Sequence, residues 1–222
     1  MNQQTEIRMS WIKKLIDVIL HLDRYLNVII QSYGNWTYAL IFIIIFCETG
    51  LVVTPFLPGD SILFATGALA ANGTMKLITL FLVFYSAAVI GDTVNYHIGK
   101  KIGNKIFEKD NLKYINKDYL KKAHVFYEKH GSMTIVVGRF VPIIRTFVPF
   151  IAGVGEMKYS KFIVYNMLGG LMWVALFLFG GFFFGNLPIV KDNFSYVLIA
   201  IIFISLLPGV FVFIKEKRNN QS

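Results

Sequence analysis

Gly138-Arg139-Phe140-Val141-Pro142-Ile143-Ile144-Arg145-Thr146-Phe147-Val148-Pro149-Phe150-Ile151-Ala152-Gly153 sets two arginines and two prolines inside an otherwise apolar run. Neither residue type suits an ordinary membrane-spanning helix. Proline removes a backbone donor and clashes with the preceding turn. A guanidinium near the bilayer centre costs at least about 2.5–3.5 kcal/mol on insertion scales, so it faces protein or water and has a use. The stretch from Thr134 to Val154 therefore predicts a broken helix, with Pro142 and Pro149 at the breaks. On an unbroken helix Arg139 and Arg145 would point about 240° apart. Pro142 lies midway, and a break there lets both guanidiniums converge. Two converging planar forks suit a phosphate, which accepts bidentate hydrogen bonds. Half-helix N-termini near Asp60 or Thr146 would add N–H donors.

A second stretch of this kind lies upstream. Tyr38 to Cys47 is apolar and Glu48 interrupts it; Thr54-Pro55-Phe56-Leu57-Pro58-Gly59-Asp60 follows. Pro55, Pro58 and Gly59 mark the hairpin break. Asp60-Ser61 reads as the N-cap of a short helix of small residues, Ile62 to Ala71. Leu77 to Ile98 is then a span carrying Asp92. Phe162 to Val190 and Asn193 to Ile214 contain no charged residue. Both exceed the roughly 20 apolar residues needed to cross about 30 Å of hydrocarbon. With 55% hydrophobic residues in 222 and a mean hydropathy of +0.58, the composition is that of an integral membrane protein.

The net charge of +9 does not indicate a nucleic-acid partner, because the positive residues sit between the apolar blocks, where they set membrane orientation. Lys101, Lys105, Lys109, Lys113, Lys117 and Lys121 recur every four residues in a basic connector. That connector is either a plain positive-inside segment or a site for anionic lipid headgroups. The tail Lys215-Glu216-Lys217-Arg218 is basic too, which places it and the connector on the cytoplasmic side. Ser10 to Tyr33 has apolar residues at helical spacing, with Lys14, Asp17, His21 and Arg24 on the other face. Such a helix lies at the interface or packs as a solvated leader on the membrane domain. The single cysteine, Cys47, rules out an intrachain disulfide and a cysteine-based metal site. No cleavable signal peptide is expected. Trp36 and Tyr196 are interfacial anchors by position.

Each half thus has a proline-broken segment with charges, then a long span ending in a glycine pair: Gly99 and Gly103, then Gly181 and Gly185. With the connector and C-terminus on one side, each broken segment must return to the side it entered. The expected fold is an all-α integral membrane protein of two inverted repeats. Each repeat is a re-entrant broken-helix hairpin followed by a transmembrane helix, and a C-terminal transmembrane helix completes the fold. Residues 1–33 form the N-terminal amphipathic helix. The membrane domain covers 34–214, as repeat one 34–99, connector 100–131, repeat two 132–190 and last span 193–214. Residues 215–222 are the basic tail.

Glu48, Asp60, Asp92, Arg139 and Arg145 are the candidate site residues. The plainest role is an ion pair tying the hairpins together, for example Glu48 or Asp60 with an arginine. An apolar pocket favours the neutral acid and an arginine favours the charged one. An acid between those pulls can exchange a proton during a transport cycle. Glu48, Asp60 and Asp92 are the ion-coupling candidates on this reasoning, and Arg139 and Arg145 the substrate-binding ones. His97, a turn beyond Asp92, is a weaker proton candidate; His21, His124 and His130 read as surface residues.

Several motifs together carry a resemblance. Phe46-Cys47-Glu48-Thr49-Gly50, Pro55-Phe56-Leu57-Pro58-Gly59-Asp60-Ser61 and Gly91-Asp92 with Asn95-Tyr96 belong to it. So do Arg139-Phe140, Pro142, Arg145-Thr146 and Pro149 with Ala152-Gly153. The sequence from about Leu15 to Lys217 resembles the DedA family of bacterial membrane proteins, which carry the VTT domain, with no departure at the charged positions. The resemblance implies two opposed re-entrant hairpins. It implies transport of a lipid phosphate, undecaprenyl phosphate or phospholipid, across the bacterial cytoplasmic membrane, coupled to protons or sodium. It also implies functional roles for Glu48, Asp60, Arg139 and Arg145. No cofactor is expected, and the oligomeric state stays open. A proton or cation antiporter without a lipid substrate is the alternative. An enzyme acting on a lipid phosphate fits less well, because no histidine, Ser-His pair or metal-ligand cluster adjoins the broken segments.

Overall fold

A computed structural model of the chain describes residues 32–51, 59–108, 131–185, 187–192, 196–197 and 200. Residues 1–31, where the N-terminal amphipathic helix is expected, Pro55 and Pro58, most of the lysine-rich connector and residues 201–222, which hold most of the expected last span, lie outside them. Every element among the described residues is helical. Helix α1 spans Trp36–Gly50, α2 Gly59–Ala71 and α3 Leu77–Glu108. Helix α4 spans Met133–Gly138, α5 Pro142–Val154 and α6 Tyr159–Val174. A π-helical turn, Ala175–Phe179, joins α6 to α7, Gly180–Phe184, and α8 is Pro188–Asp192.

Two helices have span length. Leu77–Gly103 within α3 has 27 residues and the continuous Tyr159–Phe184 has 26, and the most apolar stretch within each reaches a mean hydropathy of 1.9 and 2.0. At 1.5 Å per residue each covers about 40 Å, more than the hydrocarbon thickness. Both present apolar side chains outward: Ile78, Leu82 and Ile90 on one, Leu168, Leu171 and Leu176 on the other. Such a surface is at home in lipid and not in water. By contrast α1, α2 and α5 have 15, 13 and 13 residues, about 20 Å each, too short to cross unaided.

Local chemistry sets the boundaries. Val141 is extended, at φ −112° and ψ 105°, because the residue before a proline is driven out of the helical region. Pro142 then opens α5 at a position where its missing N–H does no harm. Hence the chain breaks at Pro142 as expected. The expected break at Pro149 does not occur: α5 runs through it to Val154. Gly59 is likewise the first residue of α2 and not part of the break. Asp60 therefore sits in the first turn, where the helix dipole favours an acid, and is not the cap. The first span also outruns its expected end at Ile98, since α3 continues through the lysines to Glu108. Lysine is a good helix former and needs no break there.

Helices α2 and α5 end alike. Thr74 N–H donates to Leu69 O (3.1 Å) and Gly73 N–H to Ala70 O (3.0 Å), with Gly73 at φ 76°. In α5 the same pair runs from Met157 to Ala152 O (3.0 Å) and from Glu156 to Gly153 O (3.2 Å), with Glu156 at φ 57°. This is the left-handed C-terminal cap normally built on glycine.

The halves interlock through glycines. Gly99 and Gly103 of α3 lie against the backbone of Phe150 and Val154 in α5, and Gly153 of α5 against Tyr96 and Lys100 in α3. Gly181 and Gly185 lie against Phe64 and Ala68 in α2, and Gly67 of α2 against Leu178 and Phe182. Each long helix therefore packs, backbone to backbone, on the short helix of the other half. The main apolar core gathers Ile41, Ile45, Leu63, Leu80, Phe84 and Leu178; a smaller one gathers Tyr96, Val148, Ala152 and Phe162.

Candidate functional site

All five charged candidates are buried. Glu48 falls on the inner face of α1 with Thr37, Ile41 and Ile45, as spacing close to four residues requires. Asp60 comes from the first turn of α2 and Asp92 from the middle of α3. Arg139 stands at the corner after α4, and Arg145 in the first turn of α5.

Two ion-paired groups form. Arg145 holds two acids at once: Nη2 donates to Glu48 Oε1, and Nη1 to Asp60 Oδ1 at 2.7 Å. Glu48 Oε1 also accepts the Gly59 N–H at 3.3 Å. This group ties α1, α2 and α5 together, as an ion pair of Glu48 or Asp60 with an arginine would. Arg139 Nη2 donates to Asp92 Oδ2 and, at 2.6 Å, to Asn166 Oδ1. Asn166 Nδ2 in turn donates to Val89 O at 3.0 Å, fixing its amide orientation.

The two groups share one cavity of about 10 Å³, lined by Thr49, Asp92, Arg139, Arg145 and Trp173. That is about the space of one water. Arg139 Nη1 and Arg145 Nε are buried N–H groups with no hydrogen-bond partner among the described residues. Glu48 Oε2 is likewise a buried acceptor without one. Buried polar groups are rarely left so, since each carries a desolvation penalty of about 1–3 kcal/mol. The arginines therefore converge on common ground, as Pro142 between them suggested. They do not meet as a bare pair, because carboxylates already occupy part of each fork.

Three neutral residues complete the site; Asn95 entered the sequence reading only as part of the family motif, and Asn166 and Trp173 did not stand out. Asn95 Nδ2 donates to Thr49 O (3.1 Å) and to Thr146 O (2.7 Å). Those carbonyls belong to the residues just after Glu48 and Arg145, so one amide sets the backbone behind both charges. Asn166 orients Arg139. Trp173 Nε1 donates to Asp60 Oδ1 at 2.8 Å, and Arg145 Cζ lies 5.2 Å from the centroid of its ring. A usable signal was present for two of them: Asn166 and Trp173 lie inside a charge-free span, away from the ends where tryptophan anchors belong. His97 does not reach the site; it is on the exposed side of α3, bonded to Thr93 O at 2.7 Å and packed on Tyr159.

The comparisons with known proteins agree on kinship. The model of the VTT domain matches residues 57–183. The chain is 51% identical over 212 residues to Protein DedA of Escherichia coli (strain K12), covering 95% of this chain and 97% of that one. It is 41% identical over 168 residues to an uncharacterized membrane protein of Mycobacterium leprae (strain TN), covering 76% and 75%. It is 33% identical over 190 residues to the inner membrane protein YghB of Escherichia coli (strain K12), covering 82% and 87%. No solved structure matches the chain.

Proposed function

The chain belongs to the DedA family of VTT-domain membrane proteins, and from that premise we propose that it carries a lipid phosphate across the bacterial cytoplasmic membrane, coupled to protons or sodium. The observation that carries the reading is the shared cavity, onto which two buried guanidiniums turn while each keeps an unpartnered N–H. Phosphate oxygens are the natural acceptors for such donors. The cavity is too small for a phosphate as it stands, so this arrangement is the closed one. Binding requires Arg139 and Arg145 to give up part of their carboxylate contacts.

The charge count supports coupling. Three carboxylates surround two guanidiniums. Fully ionised, the cluster carries one excess negative charge, and a proton or a sodium ion would balance it. Phosphate entry adds negative charge and calls for further protons or cations on the acids. We further propose that α1–α2 and α4–α5 are re-entrant hairpins of inverted repeats. The repeated element order, the matching caps at Gly73 and Glu156 and the reciprocal glycine contacts favour this.

The antiporter reading has its own support. Both terminal nitrogens of Arg145 are taken by Glu48 and Asp60, as expected if the arginine is only their structural partner. Reconstitution separates the readings. Purified protein in liposomes, with and without a pH or sodium gradient, should move labelled undecaprenyl phosphate or phospholipid. Ion flux without lipid movement would establish the antiporter, and release of free phosphate an enzyme. Arg139→Lys and Arg145→Lys sharpen the test, since lysine keeps the charge and loses the fork. Each should accumulate in the membrane but transport poorly. Normal transport in both would rule out a fork-type phosphate site.

A further inference from the structure

Trp173 sits where a tryptophan is least expected. It lies near the middle of the span Tyr159–Phe184 and is 1% exposed. Tryptophan in membranes favours the interface, and a buried indole N–H needs an acceptor. Here the acceptor is Asp60 Oδ1, the same oxygen that accepts Arg145 Nη1. The indole ring faces the Arg145 guanidinium and forms one wall of the shared cavity. The π-helical turn begins two residues later, at Ala175, and such turns gather at functional sites.

We infer that Trp173 is a positioning residue that keeps Asp60 satisfied when Arg145 turns toward a phosphate. The inference rests on the phosphate reading of the site. In the closed arrangement Asp60 Oδ1 has two donors. When Arg145 leaves for a phosphate oxygen, Asp60 would be a buried carboxylate with no partner, which opposes the move. The indole N–H remains, so Asp60 keeps one hydrogen-bond donor through the exchange. The ring meanwhile offers the departing guanidinium a face to slide on. A residue of the second half thereby sets how readily an acid of the first half releases its arginine.

The test uses the full chain in dodecyl maltoside and titrates dodecyl phosphate, a single-chain phosphate monoester, by calorimetry. Trp173→Phe keeps a ring and loses the N–H; its affinity should fall about tenfold, the usual size for a hydrogen bond to a charged group. In an Asp60→Ala background the same change should have no further effect, because the acceptor is gone. Phe84→Leu, a buried aromatic change away from the cavity, should lower the unfolding midpoint and leave affinity alone. Unchanged affinity in Trp173→Phe, or an equal loss with and without Asp60, overturns the inference and makes Trp173 a space filler. A second measurement avoids altering the residue. With Trp11→Phe and Trp36→Phe, Trp173 is the remaining tryptophan, and dodecyl phosphate should shift its emission as Arg145 leaves the ring. A silent emission alongside calorimetric binding also overturns it. No binding by the parent, or full binding by Arg139→Gln, overturns the phosphate reading itself and the inference with it.

Discussion

An Arg145→Gln chain should lose the proposed transport and yield little folded protein. The change removes the common partner of Glu48 and Asp60 and leaves both acids buried, at 0% and 8% exposure. Breaking a buried pair from one side costs about 3–5 kcal/mol, because the remaining charge cannot be solvated. Here two charges remain, and they lie on α1 and α2, which Arg145 joins to α5. Native stability is of order 5–15 kcal/mol, so this is a large share of it. Yield by size-exclusion chromatography and the unfolding midpoint in detergent measure the loss. Adding Glu48→Gln and Asp60→Asn to the same chain removes the stranded charges. Folded protein should return, and transport should not. A single Arg145→Gln chain as stable as the parent would mean that the three side chains do not hold α1, α2 and α5 together. Arg139→Gln should cost less, since it strands Asp92 alone and leaves Asn166 anchored on Val89.

Much of this site was legible because charges in apolar stretches have few places to go. Glu48, Asp60, Asp92, Arg139 and Arg145 were each identifiable singly, and burial brought them together as lipid exclusion requires. The pairing was not legible. Nothing local says that Arg145 takes both Glu48 and Asp60 while Arg139 takes Asp92, because that choice depends on how α3 and α5 pack. Pro142 was readable since proline acts on its own predecessor, Val141. Pro149 misled for the complementary reason. A proline inside a helix loses one hydrogen bond, and packing within a membrane domain can carry that loss. Asn166 and Trp173 escaped notice, and Asn95 was read only as part of a motif, because neutral polar groups in an apolar run announce no partner. Their partners are backbone carbonyls, a guanidinium and a carboxylate from other helices.

Gly180 and Gly181 are neighbours in sequence and should respond to alanine in opposite ways. Both are helical, in α7. A Cβ on Gly180 would have Phe64 Cδ2 as its nearest neighbour, at 4.0 Å. Relief of glycine's helical entropy penalty then makes Gly180→Ala neutral or stabilising, by up to about 1 kcal/mol. A Cβ on Gly181 would run into the Phe64 backbone, with its Cα at 2.9 Å. Backbone cannot rotate aside as a side chain can, so α2 and α7 must part. Overpacking of this kind costs about 1–3 kcal/mol. The seam also carries Gly67 and Gly185, so any separation propagates along it, and α2 bears Asp60. Gly181→Ala should therefore lower the unfolding midpoint and weaken transport together. Gly153→Ala, at the reciprocal seam where a Cβ would lie 2.7 Å from Lys100 N, should do the same on the side that bears Arg145. Equal midpoints for the Gly180 and Gly181 variants would mean that the halves are not locked by backbone contact. Loss at one seam and not the other would mean that the two short helices do not hold equivalent places in the fold.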